Sequence, residues 1–353
     1  YIDLESRLFP RLLVDGAARA ERYSDFGGTI DEKFATRVDL FPGFALRGSI
    51  GTGFRAPSLN QSNFATTRST FVIKDGVAGV YQIRTFPVRT AEAKVLGAQP
   101  LEPEQSLSLS AGIVFDRPSL PTVTIDYYDI RIDGRIVSSS EFIDSSVTSL
   151  LAAHGTSGVV GAQYFANAAD TRTRGADIIA RYATVLGREG ILQLVGGYNQ
   201  TRTRVADVRS TPPELNSIQA TLFGRTQRGI IERAQPDRTL MLTTDYSFRR
   251  FTVDLHNQRF GKTALLDASD PASDQTVEPA WITDVGLSYK VGRRVTASAS
   301  VANVFDVYPS EWIDFKDGVN ATGLSIAGNS RYAVAISPFG ANGRTIYLRL
   351  TYR

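Results

Sequence analysis

Gly51-Thr-Gly-Phe-Arg-Ala-Pro-Ser-Leu59 follows a strand that alternates Phe44, Leu46 and Ile50 against Arg47 and Ser49, and it opens a long polar loop. Successive side chains on a strand point to opposite faces, so this alternation marks one apolar and one polar face. A strand ending in Gly and Pro is a weak sign by itself. It decides the fold because the same arrangement recurs to the end of the chain, with strand pairs joined by tight turns at one end and by long loops at the other. That is the sequence form of an outer-membrane β-barrel.

Working outward, Phe251, Val253 and Leu255 alternate with Thr252, Asp254 and His256. Leu107, Leu109, Ala111, Ile113 and Phe115 alternate with Ser106, Ser108, Ser110 and Gly112. Trp281, Thr283, Val285, Leu287 and Tyr289 form a third such face, and Ile346, Leu348, Leu350 and Tyr352 a fourth. The pattern predicts strands over 11–24, 30–40, 44–55, 103–116, 121–135, 173–184, 189–203, 237–248, 250–261, 279–290, 294–305 and 343–353. Many are longer than a soluble strand of about five or six residues and suit a tilted membrane span. Short turns fall at 40–43, 116–120, 185–188, 247–250 and 290–294, and long loops cover 56–102, 136–172, 204–236, 262–278 and 306–342. The first hairpin is the exception, with a short turn at 25–28 on the long-loop side. Helical periodicity is nearly absent; Pro213 to Phe223 is read as a short helix inside a loop. In the strand at 121–135 the apolar face switches from Val123, Ile125 and Tyr127 to Ile130 and Ile132, which predicts either a bulge near Tyr127–Tyr128 or a strand leaving the membrane.

Composition agrees. Hydrophobic residues make up 42% and charged residues 21%, enough apolar material for an ordered protein. Zero cysteines exclude a disulfide scaffold and a thiolate metal site. The net charge of +3 is small, the arginines are scattered singly, and nucleic acid is not expected as a partner. No run reaches the roughly 18 apolar residues of a membrane helix.

Several segments then carry a resemblance. Glu21-Arg-Tyr-Ser-Asp-Phe-Gly27, Gly51 to Leu59, Leu101-Glu-Pro-Glu-Gln-Ser106, Asp126-Tyr-Tyr-Asp-Ile-Arg-Ile132, Thr173-Arg-Gly-Ala-Asp177, Gln235-Pro-Asp-Arg238, Asn303-Val-Phe-Asp306 and Ser337-Pro-Phe-Gly340 stand in an order and spacing that resemble the C-terminal part of a TonB-dependent outer-membrane receptor. The resemblance implies an all-β, transmembrane, antiparallel up-and-down barrel of about 22 strands, of which this chain holds about twelve C-terminal ones, with Tyr1–Phe9 the tail of one more. It implies that residues 1–353 are the C-terminal portion of the barrel domain, with the N-terminal plug and first strands outside this chain. It further implies an active-transport receptor in the outer membrane of a Gram-negative bacterium. Such a receptor takes up a scarce or bulky substrate (a ferric siderophore, a cobalamin-like compound or an oligosaccharide) with energy from the TonB inner-membrane complex acting through the plug. The implied partners are outer-membrane lipid, the rest of the barrel and plug, and a small-molecule or oligosaccharide ligand. The family usually ends in an aromatic residue, and here Arg353 follows Tyr352. A free-standing barrel channel or membrane hydrolase of about twelve strands, and a soluble all-β lectin, are the competing readings.

Enzyme chemistry is not expected. His154 and His256 are the only histidines, and no Gly-x-Ser-x-Gly elbow supports a triad with either. His256 sits on a polar strand face and reads as lumen-lining. No cofactor or histidine-built metal site is expected. Loop carboxylates at Glu141, Asp144, Asp267, Asp270 and Asp274 lack an Asp-x-Asp-x-Asp-Gly pattern and read as solvated charge. Binding residues concentrate on loops held by a rigid scaffold. Arg68, Tyr81, Arg84, Trp312 and Phe315 are therefore the candidate ligand contacts, arginine for an anionic ligand and aromatics for a sugar or catechol. Tyr182, Tyr198, Tyr246, Tyr289 and Tyr352 read as the aromatic girdle.

Overall fold

The computed structural model describes the chain apart from residues 25, 75–76, 219, 314–330 and 353, with the side chains of 70–78 and 81 also outside the description. In chain order the elements are β1 (Ile2–Phe9), β2 (Leu12–Tyr23), β3 (Gly27–Phe41), β4 (Phe44–Arg55), α1 (Leu59–Asn63), β5 (Thr66–Lys74), β6 (Val77–Thr85), α2 (Ala91–Val95), β7 (Glu104–Phe115) and β8 (Thr122–Ser138). They continue with α3 (Ser145–Ala153), β9 (Gly161–Gln163), β10 (Phe165–Leu186), β11 (Gly190–Val208), α4 (Pro213–Asn216), α5 (Arg225–Glu232), β12 (Arg238–Phe248), β13 (Phe251–Phe260), β14 (Thr263–Leu265), β15 (Gln275–Val277), β16 (Ala280–Lys290), β17 (Val295–Ala302) and β18 (Thr345–Tyr352).

Thirteen strands form one antiparallel sheet in strict sequence order, β1-β2-β3-β4-β7-β8-β10-β11-β12-β13-β16-β17-β18. The remaining strands belong to the loops, as a three-stranded sheet β5-β6-β9 and a hairpin β14-β15. Among the described residues β1 pairs only with β2 and β18 only with β17, so the wall does not close on itself. The expected edge strand at 11–24 is corrected by one place, because Ile2–Ala18 through Phe9–Leu12 pair along the full length of β1.

Cross-strand partners share a face, so the pairing extends each alternation into rows. Leu255 lies between Thr244 and Val285, and Val253 between Tyr246 and Leu287. Ile346 and Leu348 continue those apolar rows on the last strand and are 66% and 82% exposed, as a lipid-facing surface requires. The opposite face is polar and carries ion pairs and hydroxyl pairs. Lys33 pairs with Asp15 at 3.1 Å, and Arg47 grips Asp126 at 2.8 and 2.5 Å. Hydroxyl pairs step along the same face: Ser49 with Ser110 at 2.7 Å and Ser288 with Ser298 at 2.9 Å. Aromatic rings gather at the short-turn end, Phe41 on Phe44 at 4.8 Å and Phe251 on Tyr289 at 4.6 Å, where a girdle is expected.

Two alternatives for the strand at 121–135 are now separated. The β7–β8 ladder runs without a shift from Phe115–Val123 to Gln105–Asp133, so there is no bulge at Tyr127–Tyr128. The alternation inverts because the strand has left the apolar layer. The β10 strand begins at Phe165 instead of 173 for the same reason: its upper end packs Ala168 and Ala169 into a loop core instead of obeying the membrane's two-residue period.

The Gly51-to-Leu59 segment ends the fourth strand and turns outward. Ser58 caps α1 by accepting from the Gln61 amide at 3.1 Å while the Gln61 side chain accepts from the Ser58 amide at 3.0 Å, a capping box. Arg55 grips Glu104 with two hydrogen bonds of 2.9 and 2.5 Å, closing the long loop where it leaves and returns. Glu104 is 5% exposed and also accepts from the Ile136 amide at 2.7 Å. Glu104→Ala removes all three hydrogen bonds and is expected to cost about 1–3 kcal/mol. Glu104→Gln, which keeps an acceptor for Ile136, should lose less. Urea unfolding in lipid vesicles checks this, and an alanine variant as stable as the parent would refute the lock.

Candidate functional site

The segments quoted separately from the sequence meet in space. Arg174 lies opposite Asp129 and Gly175 opposite Tyr128, so Asp126–Ile132 and Thr173–Asp177 form adjoining strands. Tyr128 bonds the Thr201 hydroxyl, Asn199 donates to Asp177 at 2.6 Å, and Thr173 meets Thr203 at 2.9 Å, one polar network on the lumen face. A side chain in place of Gly175 would collide with the Tyr128 ring hydroxyl, which explains that glycine. Tyr23 stacks on Phe26 at 4.4 Å and meets Phe54 edge-on at 5.5 Å, joining the first hairpin to the fourth strand. Asn303, at φ 51°, folds the exit of β17 by bonding Val307 in both directions, at 2.8 and 3.0 Å.

Above this wall the long loops are not separate. Loops 56–102, 136–172 and 204–236 share one buried core that includes Phe86, Leu96, Phe142, Leu151, Tyr164 and Phe223. Buried apolar side chains are concentrated in this cap because the barrel wall turns its own apolar face outward. The Tyr164 hydroxyl donates to the Leu96 carbonyl at 3.0 Å, and burial pushes its pKa well above the ordinary phenol range, so it stays a neutral donor. Thr171 and Val205, on the lumen face of β10 and β11, are buried against the cap, which therefore sits over the mouth. A second core gathers Leu265, Val277, Trp312, Ala333 and Ile336 from loops 262–278 and 306–342.

The candidate ligand contacts divide. Arg68 forms an ion pair with Glu141, tying the β5–β6 hairpin to the segment after β8. Arg84 is exposed, with its guanidinium 5.2 Å from the Phe86 ring. Trp312 is 2% exposed at the centre of the second core, and its indole N–H finds no hydrogen-bond partner among the described residues. The side chain of Tyr81 and the whole of Phe315 lie outside the described residues. Tyr332 stacks on Tyr308 at 5.0 Å and Phe339 on Phe260 at 5.9 Å, which is loop packing. The structure places Arg68, Arg84 and Trp312 in three different contacts and does not bring them to one point.

The loop carboxylates have local partners. Asp144 caps α3 by accepting from the Ser146 amide at 2.7 Å, and Asp270 accepts from the Ala272 amide at 2.9 Å. Asp267 accepts from the Ser269 and Asp270 amides. Among the described residues no group of acids and histidines is arranged to hold a metal ion. His154 ends α3 and its Nδ1 lies 2.9 Å from the Leu150 carbonyl, while His256 on the lumen face meets the Thr243 hydroxyl at 3.2 Å.

Two features escaped the sequence reading. The expected helix at 213–223 is only α4, and the longer α5 was missed, although the Arg228–Glu232 pair one turn apart (3.6 Å) was a usable signal. Arg225 on α5 grips Asp274 with bonds of 2.6 and 2.5 Å, joining the loop after β11 to the loop after β13. The Arg225 bonds hold the Asp274 carboxyl below its ordinary value of 3.8. A depressed folded value gives stability that is complete above the ordinary one and is lost as pH falls through the folded one. Loop 262–278 should therefore keep its hydrogen-exchange protection from pH 7 to 5 and loosen only below about pH 4. Asp274→Asn should loosen it throughout, and protection that fades between pH 7 and 5 would contradict the assignment.

An antiparallel wall that is apolar outside and polar inside, with its long connections gathered over one mouth, defines an outer-membrane-type barrel wall. The chain belongs to the TonB dependent receptor-like β-barrel family, whose profile matches residues 1–304; proteins of that family lie in the outer membrane of Gram-negative bacteria. Solved structures share the fold. The siderophore receptor PirA of Acinetobacter baumannii matches with a TM-score of 0.62 at 12% identity, over 99% of this chain and 44% of that one. The ferric enterobactin receptor PfeA of Pseudomonas aeruginosa, in complex with enterobactin, matches with a TM-score of 0.62 at 14% identity, over 99% and 44%. The ferripyoverdine receptor of the same organism, bound to ferripyoverdine, matches with a TM-score of 0.52 at 16% identity, over 87% and 34%. The chain spans less than half the length of these structures. No curated protein sequence matches it.

Proposed function

We propose that this chain is the C-terminal wall and loop cap of an outer-membrane active-transport receptor, with a ferric siderophore as the substrate class. The observation that carries the reading is the fusion of three long loops into one buried core above a polar lumen. A shared core holds a capture surface rigid, which separate loops would not do. The solved neighbours include receptors described as siderophore, ferric enterobactin and ferripyoverdine receptors, and that supports the substrate class. In this reading the remaining strands of the barrel pair with the free edges of β1 and β18, and a plug gates the lumen and couples it to the TonB complex. Unpaired strand edges cannot stand in lipid, which supports the pairing. Arg68, Tyr81, Arg84 and Phe315 are the proposed ligand contacts, and Trp312 acts through the loop whose core it fills.

The test is uptake and binding of a panel of ferric siderophores, a cobalamin and oligosaccharides by the full-length receptor in cells with and without TonB. Energy-dependent uptake of a ferric siderophore is the expected result. Passive conductance unaffected by TonB would replace the reading with that of a channel. Deleting 66–90 should weaken binding at least tenfold while the barrel still assembles, as expected where part of a preorganised surface is lost. Unchanged affinity would remove that loop from the capture surface.

A further inference from the structure

The apolar outer face of the wall ends in a patch of arginines. Leu107, Arg131, Arg172 and Arg204 are direct cross-strand partners in one row, and Leu109, Asp129, Arg174 and Arg202 form the next. These rows lie on the same face as Ala111, Ile113 and Phe115, the face turned to lipid. Five arginines therefore stand on the outer surface of β8, β10 and β11, where the face below them is apolar. One acid serves two of them: Asp129 binds Arg172 at 2.5 Å and Arg174 at 2.9 Å. Arg131, Arg202 and Arg204 are exposed and have no acidic partner among the described residues. Beside them β11 runs on past the start of β12, leaving a crevice of about 510 Å³ along its free edge, whose charged lining is Arg202, Arg204, Arg228, Arg233 and Lys262 with the acids Glu232 and Asp237; Arg228 pairs with Glu232 and Lys262 with Glu278.

Height decides what this patch meets. From Phe115 up to Leu107 the strand rises roughly 27 Å along its axis. A tilt of about 40° leaves roughly 21 Å of height, against an apolar band of about 25 Å. The arginines thus stand at the upper rim, within reach of the headgroups on the long-loop side. Exposed guanidiniums at that depth have their stems against lipid chains and their forks free. A planar fork matches phosphate in a bidentate manner.

We propose that this patch binds the phosphate groups of a phosphorylated glycolipid in the outer leaflet, which fixes the lipid beside the cap's crevice. The occupant follows from charge complementarity and from continuity with the lipid-facing surface directly beneath. The proposal rests on the outer-membrane reading; fractionation tests that reading separately, since a receptor absent from outer membranes would defeat it whatever the arginines do.

The experiment uses the full-length receptor in phosphatidylcholine nanodiscs doped with lipid A, read by native mass spectrometry and by lipid titration. Arg131→Gln, Arg202→Gln and Arg204→Gln together should weaken lipid A binding on the order of 100-fold. Arg293→Gln, at a short turn on the opposite end, should leave it unchanged. If the triple variant does not insert, Arg202→Gln alone should still weaken binding about fivefold. Equal affinity of the inserted variants and the parent would overturn the proposal. So would equal binding of dephosphorylated lipid A, or full displacement of the lipid by inorganic phosphate, which would make the patch a site for free anions.

Discussion

Arginine in place of Leu255 is expected to destabilise the folded barrel by about 2–4 kcal/mol. Leu255 sits midway along its strand in the outer row with Thr244, Val285, Val301 and Ile346. A guanidinium there must shed its hydration or drag headgroups and water inward. The chain supplies its own control: Arg259 lies on the same face, directly opposite Leu240 and Trp281, near the rim. The same charge is tolerated there because it can snorkel to the interface. His256→Arg is the second control, since that side chain faces the lumen beside Thr243 and Asp284 and should cost a fraction of the Leu255 effect. Equilibrium unfolding of the full-length receptor in lipid vesicles reads all three. A larger loss at His256 than at Leu255 would mean that the register is reversed.

The strands were legible because a membrane enforces the two-residue period along each span. The sequence-derived bounds of 44–55 coincide with β4, and 103–116 differs from β7 by one residue at each end. Legibility stops where the lipid stops. At Val205 the inner face becomes apolar because the cap rests on the mouth, and at Asp129, Arg172 and Arg174 the outer face becomes charged because headgroups and water replace lipid tails. The cap itself could not be read. Phe86, Phe142, Tyr164 and Phe223 meet across large separations in sequence, and no period links them. The Arg55–Glu104 lock was hidden in a similar way, since each half looked like a strand end. Trp312 was singled out as an aromatic in a loop, but only the packing of Leu265 and Val277 around it shows that its ring is covered.

That division between wall and cap predicts how the molecule comes apart. Phe142 is 2% exposed in the cap core, its ring centroid lies 5.7 Å from that of Tyr164, and its backbone exchanges hydrogen bonds of 2.9 and 3.2 Å with Ala162. Phe142→Ala should cost the cap about 3–5 kcal/mol, the sum of lost burial and the cavity left behind. The wall has its own source of stability, continuous ladders in a lipid solvent, and shares few buried residues with the cap, chiefly Ala168, Ala169 and Val205. The variant should therefore open locally. Hydrogen exchange and limited proteolysis should accelerate in 56–102, 136–172 and 204–236, while β12 and β13 keep their protection and the barrel still resists unfolding in detergent. Ligand affinity should fall in proportion to the fraction of cap left folded, since only the assembled surface is competent to bind. If β12 and β13 lose protection together with the loops, cap and wall are one cooperative unit and the capture surface is stabilised by the barrel instead of by its own core.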